Sequence, residues 1–135
     1  NFKYIVLNAY AKDSQLRMLK AIIDLYKNDE KHVAVITSTS GTQAGMDSSL
    51  KQQEYNWYCK NKKELIEFIE KAQQDFYDYP IQIYDVCPDT VNTDMSDGLW
   101  EEYPKLNAED VAECVDMCFS KSYNINKIVI QKNAK

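Results

Sequence analysis

Residues 32–37 read HVAVIT, and the four from Val33 to Ile36 are apolar without alternation. A strand with no polar face must be covered on both sides, which is the condition of a strand inside a parallel sheet. Such a sheet needs helices to cover it, and the rest of the sequence offers three. Residues 13–27 carry Leu16, Leu19, Ile22, Ile23 and Tyr26 at helical spacing behind Asp13 or Ser14 as N-cap. A second helix is expected over residues 54–76, with Leu65, Ile66, Phe68, Ile69 and Ala72 as its apolar face. The third follows Asn107 as cap, places Glu109 and Asp110 at its positive end, and turns Val111, Cys114, Val115 and Cys118 inward. Two more strands are expected: IQIYDVC at 81–87, just after Pro80, and KIVIQ at 127–131. Helix and strand alternate. The expected fold class is therefore α/β, a Rossmann-like parallel sheet with flanking helices and right-handed crossovers, forming one domain over residues 1–135.

Charge and composition exclude several functions. The net charge is −5, and the 16 basic residues, of which Arg17 is the one arginine, are scattered among acids. Phosphate recognition needs clustered Lys and Arg, so no nucleic-acid partner is expected. No apolar run approaches the roughly 20 residues that cross a bilayer, and no signal peptide is visible. The four cysteines, Cys59, Cys87, Cys114 and Cys118, have neither disulfide density nor zinc-site spacing. They read as buried thiols in a reducing, intracellular compartment, cytoplasmic or mitochondrial, with no metal. His32, the single histidine, stands among charges and reads as a surface residue. The sequence begins at Asn1 and not at Met, the start expected of a processed product or a fragment.

In an open parallel sheet, ligands bind beyond the carboxyl ends of the strands. Three features fall on that edge. The HVAVIT strand ends in Ser38, Thr39 and Ser40; the next strand ends at the Pro88 loop; and the helix between them carries Tyr58 and Lys62. A spacing of four puts the two side chains on one helix face. An ammonium beside a phenol favours the phenolate and draws its pKa down from about 10. Such a tyrosine can pass a proton to or from a carbonyl or alcohol oxygen, and a serine opposite can hold that oxygen. The same spacing recurs at Tyr123 and Lys127, so it carries weight only through placement. An amphipathic helix with a surface lysine is the plain alternative.

In this order the residues resemble the C-terminal, catalytic half of a short-chain dehydrogenase/reductase. ITSTSG resembles the family's serine turn and makes Ser38 the catalytic serine. YCKNK resembles its Tyr-x-x-x-Lys helix, with Tyr58 as proton donor or acceptor and Lys62 tuning it and holding the cofactor ribose. VCPDTVNT resembles its Pro-Gly-x-Val-x-Thr loop, which makes Pro88, Val91 and Thr93 cofactor-binding residues beside Tyr58 and Lys62. The helix after Asn107 and the KIVIQ strand resemble the family's closing elements, so agreement in order runs over about residues 1–131. The family's catalytic asparagine, on the helix before the serine strand, is matched by Asn8; the reading of LNAY as the family's Asn-Asn-Ala-Gly strand end would bring it too near the serine. The resemblance implies an NAD- or NADP-linked oxidoreductase that interconverts a small carbonyl and its alcohol.

Three departures stand beside it. The stretch between Ser38 and Tyr58 is longer than the family's, Asp89 replaces the loop glycine, and Gly41, Gly45 and Gly98 fit no phosphate-binding turn. The nucleotide-binding half is therefore expected outside this chain. The partners expected are that missing N-terminal half, a second copy of the chain, or other subunits. The alternative is a non-catalytic, reductase-derived structural subunit of a larger assembly. One strand edge, beside HVAVIT, is expected to be open.

Overall fold

The computed structural model describes residues 2–8, 13–42, 50–91 and 104–133, with no side-chain description for Thr42 or for residues 50–55. Within them lie strand β1 (Tyr4–Leu7), helix α1 (Ser14–Tyr26), strand β2 (His32–Ile36), a 3-10 turn (Thr39–Thr42), helix α2 (Leu50–Asp75), strand β3 (Gln82–Pro88), helix α3 (Ala108–Ser120) and strand β4 (Lys127–Ile130). The strands form one parallel sheet in the order β1-β2-β3-β4, with Tyr4 paired to His32, His32 to Gln82 and Asp85 to Lys127. The α/β class, the three helices and three of the four strands agree with the sequence reading.

β2 and β3 are central and buried on both faces, which is why they lack alternation. One face packs Val33, Val35 and Ile83 under Leu19 and Ile23 of α1 and Leu65, Ile69 and Ala72 of α2. The other packs Ala34, Ile36, Tyr84 and Val86 under Cys114, Val115 and Cys118 of α3. Each fully buried aliphatic side chain contributes roughly 1.5–3 kcal/mol relative to exposure, so these two layers hold the sheet. All four cysteines are buried and free, as expected. At the start of α3 the Asn107 N–H donates to Asp110 Oδ2 at 2.8 Å, which satisfies one of the donors a helix end leaves over.

The structure corrects three expectations. β1 is a strand that the sequence reading left out, and it covers the edge beside HVAVIT; among the described residues no strand pairs with β1's own outer edge. α3 lies on the opposite face from α1 and α2 while the strand order keeps its direction, so the third crossover has the opposite hand from the first two. His32 is not a surface residue. It is partly buried, its Nδ1 is 2.6 Å from the Tyr84 hydroxyl, and its ring lies parallel to Tyr84 with Tyr4 and Phe119 around it. Burial pushes the Tyr84 phenol up to about 12, with Cys118 and Tyr4 adding to the effect, so Tyr84 keeps its proton, and burial also lowers the His32 pKa. Asp13 is the N-cap of α1, one of the two residues expected there; it makes no side-chain cap bond, and its carboxylate pairs with Arg17 at 3.2 Å.

Candidate active site

The carboxyl ends of β2 and β3 converge on one small region. Thr37 continues β2 by one hydrogen bond, from its N–H to Val86 O at 2.8 Å, and Ser38 follows directly. The chain then tightens into the 3-10 turn, closed by Gly41 N–H donating to Ser38 O at 3.0 Å. Ser38 is buried, and its Oγ accepts the Ser40 N–H at 3.1 Å. This orients the hydroxyl within the turn.

Gly41 fixes the turn against α2. A Cβ built on it would lie 2.9 Å from Lys62 C, 3.0 Å from Lys63 N and 2.7 Å from Ile66 Cδ1. Two of those three atoms are helix backbone and cannot step aside. Gly41→Ala should cost about 2 kcal/mol of stability by overpacking and lift the serine turn from the helix. Urea unfolding of the variant checks this; a change under about 0.5 kcal/mol would mean that the turn shifts freely.

The placement of Lys62 departs from the plain alternative of a surface lysine. It is only 4% exposed, so it is not a surface lysine. Its position on α2 is three before Leu65, four before Ile66 and seven before Ile69, which is the buried stripe. Its Nζ donates to Gln15 Oε1 at 2.6 Å and to Ile36 O at 3.1 Å. The Tyr58 ring lies over the same ammonium, with its centroid 5.6 Å from Nζ. Burial draws the Lys62 pKa down to about 8, while Cys87 and Asp85 pull it back up. A lysine is rarely buried without a partner, and this one has two acceptors and a ring.

Gln15 is the residue that the sequence reading missed. It is buried, and its Nε2 donates to Leu7 O at 3.1 Å and to Ile36 O at 2.9 Å. One side chain of α1 thus ties the ends of β1 and β2 together and meets Lys62 from the far side. The clue in the sequence was positional: Gln15 heads the stripe continued by Leu19 and Ile23 at steps of four. Asn8 corrects the corresponding expectation. It lies on no helix, but follows the last residue of β1 and is exposed. The helix before the serine strand brings Gln15, not Asn8, to Lys62.

On the other flank, Pro88 is buried at the end of β3 and Val91 bridges in parallel to Leu106. Thr93 lies outside the described residues. Thr39 Oγ1 donates to Asp89 Oδ1 at 3.0 Å, so the loop aspartate is tied to the serine turn and not simply turned to solvent. Tyr123 and Lys127, the second pair with the same spacing, lie in a loop and on β4 and share no helix face.

No family model matches the sequence, and no curated protein matches it. Solved structures do match the fold. A short-chain dehydrogenase/reductase from Vibrio parahaemolyticus aligns with a TM-score of 0.66 at 20% identity, over 90% of this chain and 52% of that one. A short chain dehydrogenase from Burkholderia cenocepacia J2315, in complex with NADP, aligns with a TM-score of 0.74 at 16% identity, over 96% of this chain and 64% of that one. A 4-hydroxyisoleucine dehydrogenase complexed with NADH aligns with a TM-score of 0.63 at 16% identity, over 90% and 53%. The chain spans between about half and two thirds of the length of these structures. Among the described residues no helix is long and apolar enough to cross a membrane. The sheet order, the helix placement and these alignments together give the chain the fold of the short-chain dehydrogenase/reductases.

Proposed function

We propose that residues 1–135 form a single partial domain, the C-terminal, catalytic half of a nicotinamide-dependent oxidoreductase that interconverts a small carbonyl compound and its alcohol. The observation that carries this reading is the buried Lys62 ammonium, held by Gln15 and the Ile36 carbonyl under the Tyr58 ring, on a helix whose backbone at Lys62 packs against the serine turn at Gly41. Ser38 holds the substrate oxygen, Tyr58 gives that oxygen a proton in reduction and removes it in oxidation, and Lys62 favours the phenolate that the exchange requires. NAD or NADP, when bound, supplies or accepts the hydride at the carbonyl carbon. The residues that would hold it here are Tyr58, Lys62, Pro88, Val91 and Thr93; the ammonium beside the carboxyl edge suits ribose hydroxyls. The glycine-rich phosphate turn is not among these 135 residues, so a nucleotide-binding half outside them is part of the proposal.

The reading is tested on the full-length protein by NADH and NADPH oxidation against a panel of aldehydes and ketones. Turnover with either cofactor supports it. Cofactor binding without turnover of any substrate would leave a non-catalytic, reductase-derived subunit, and no binding at all would end the nicotinamide assignment.

Asp89 gives a second check. Its carboxylate stands where the resemblance calls for glycine, and the cofactor carries a diphosphate. Asp89→Gly removes that charge and its bond to Thr39, and should tighten nicotinamide binding by about tenfold if like-charge repulsion of about 1.4 kcal/mol is relieved. Titration by cofactor fluorescence measures it. Equal affinities in variant and parent would mean that Thr39 already holds the carboxylate away from the ligand.

A further inference from the structure

The reading above leaves unused the one buried carboxyl group among the described residues. Asp85 lies in the middle of β3 and is 1% exposed. Alternation along the strand puts it on the face covered by α1 and α2, with Ile83 and Cys87 to either side. Its Oδ1 accepts a hydrogen bond from Thr37 Oγ1. Its Oδ2 is buried without a hydrogen bond, and Lys127 Nζ on β4 lies 3.7 Å away. Burial raises its pKa, against the Thr37 hydroxyl and Lys127, which lower it. A carboxylate at the centre of a core strand is costly, and an apolar residue would fill the place without that cost.

What Asp85 reaches is the strand end that presents Ser38. Thr37, the residue before Ser38, is held from β3 through its N–H to Val86 O and its hydroxyl to Asp85. Ile36, one residue earlier, is held from the helices, its carbonyl accepting from both Lys62 and Gln15. The approach to Ser38 is thus clamped on both flanks.

We propose that Asp85 is a positioning residue of this site: through Thr37 it fixes the strand end that carries Ser38. The proposal rests on the reading of Ser38 as a site residue. Beside Asp85 stand Thr37 on β2, whose hydroxyl donates to it, and Lys127 on β4, whose ammonium lies 3.7 Å from Oδ2.

The test measures the strand end and not turnover. Exchange of the Ser40 amide, which donates to Ser38 Oγ, is followed by NMR in the full-length protein, parent and Thr37→Val, a variant that keeps shape and loses the hydroxyl held by Asp85. The Ser40 amide should exchange several-fold faster with solvent in the variant, while the amide of Val33 on the same strand keeps its rate. Unchanged Ser40 exchange, or an equal rise at both amides, would overturn the positioning role. The expected effect in a protein that turns over nothing would sink the catalytic reading and leave the clamp standing.

Discussion

Tyr58→Phe should lower nicotinamide-linked turnover by about 10²–10⁴-fold, the range for loss of a positioned proton donor. The unfolding free energy should stay within about 0.5 kcal/mol of the parent, because the variant loses no packing volume. The reason lies in what the substitution keeps. The ring remains over the Lys62 ammonium, so the cation's aromatic contact survives and only the hydroxyl is gone. Tyr58 is partly exposed, so removing its oxygen leaves no cavity. A loss of turnover much larger than any loss of cofactor affinity separates proton transfer from binding, since Tyr58 is also among the residues that would hold the cofactor. Activity within a few-fold of the parent would remove Tyr58 from the mechanism and return the helix to a purely structural role.

The second large effect is on stability against pH. The folded-state pKa of Lys62 is drawn down from 10.5 to about 8, chiefly by burial. Below that point the side chain is charged in both the folded and the unfolded chain, and the folded state carries the full cost of holding an ammonium out of water. Between about 8 and 10.5 the unfolded chain binds more protons at this site, so stability rises with pH across that window. The Lys62 contribution should change by about 2 kcal/mol, read as the difference between the parent and Lys62→Met in urea unfolding at pH 7.5 and pH 10. Other groups titrate in both proteins and cancel in the difference. Turnover should move the other way and fall above about pH 8, since the neutral amine no longer favours the Tyr58 phenolate. A parent and variant with the same pH dependence would show that Lys62 keeps its proton through other contacts.

The elements were legible where a local pattern reports a global environment. VAVI could be read as a covered strand because burial on both faces removes alternation, and the stripes of α1, α2 and α3 because a 3.6-residue period selects one face. β1 was missed for the converse reason. It is a four-residue edge strand with Tyr4 and Val6 largely exposed, so half of it looks like surface. The hand of the third crossover was beyond reach, since nothing in the α3 stripe says which face of the sheet it will cover. At the site, Ser38, Tyr58 and Lys62 stood out by residue type and order. Gln15 and Asp85 did not, because each gains its meaning from partners far away in sequence: Gln15 from Ile36 and Lys62, Asp85 from Thr37 and Lys127. Both carried the same quiet mark, a polar side chain at a position the period reserves for the core. His32 was misread because its neighbours in sequence are charged, whereas its neighbours in space are rings.

The strand order has a consequence for how the molecule breathes. Each strand pairs with its neighbours in sequence, so among the described residues the sheet has an inner pair, β2 and β3, and two outer strands held along one side only. Local opening starts where backbone bonds meet solvent and few apolar contacts must be given up. β1 and β4, four residues each and half exposed, answer that description. Ser38, Lys62 and Asp85 all bear on the inner pair. Thermal loosening therefore proceeds from the rims inward and reaches the hydroxyl, the ammonium and the carboxylate last, so the outer strands can fray or exchange partners while the geometry of the site persists.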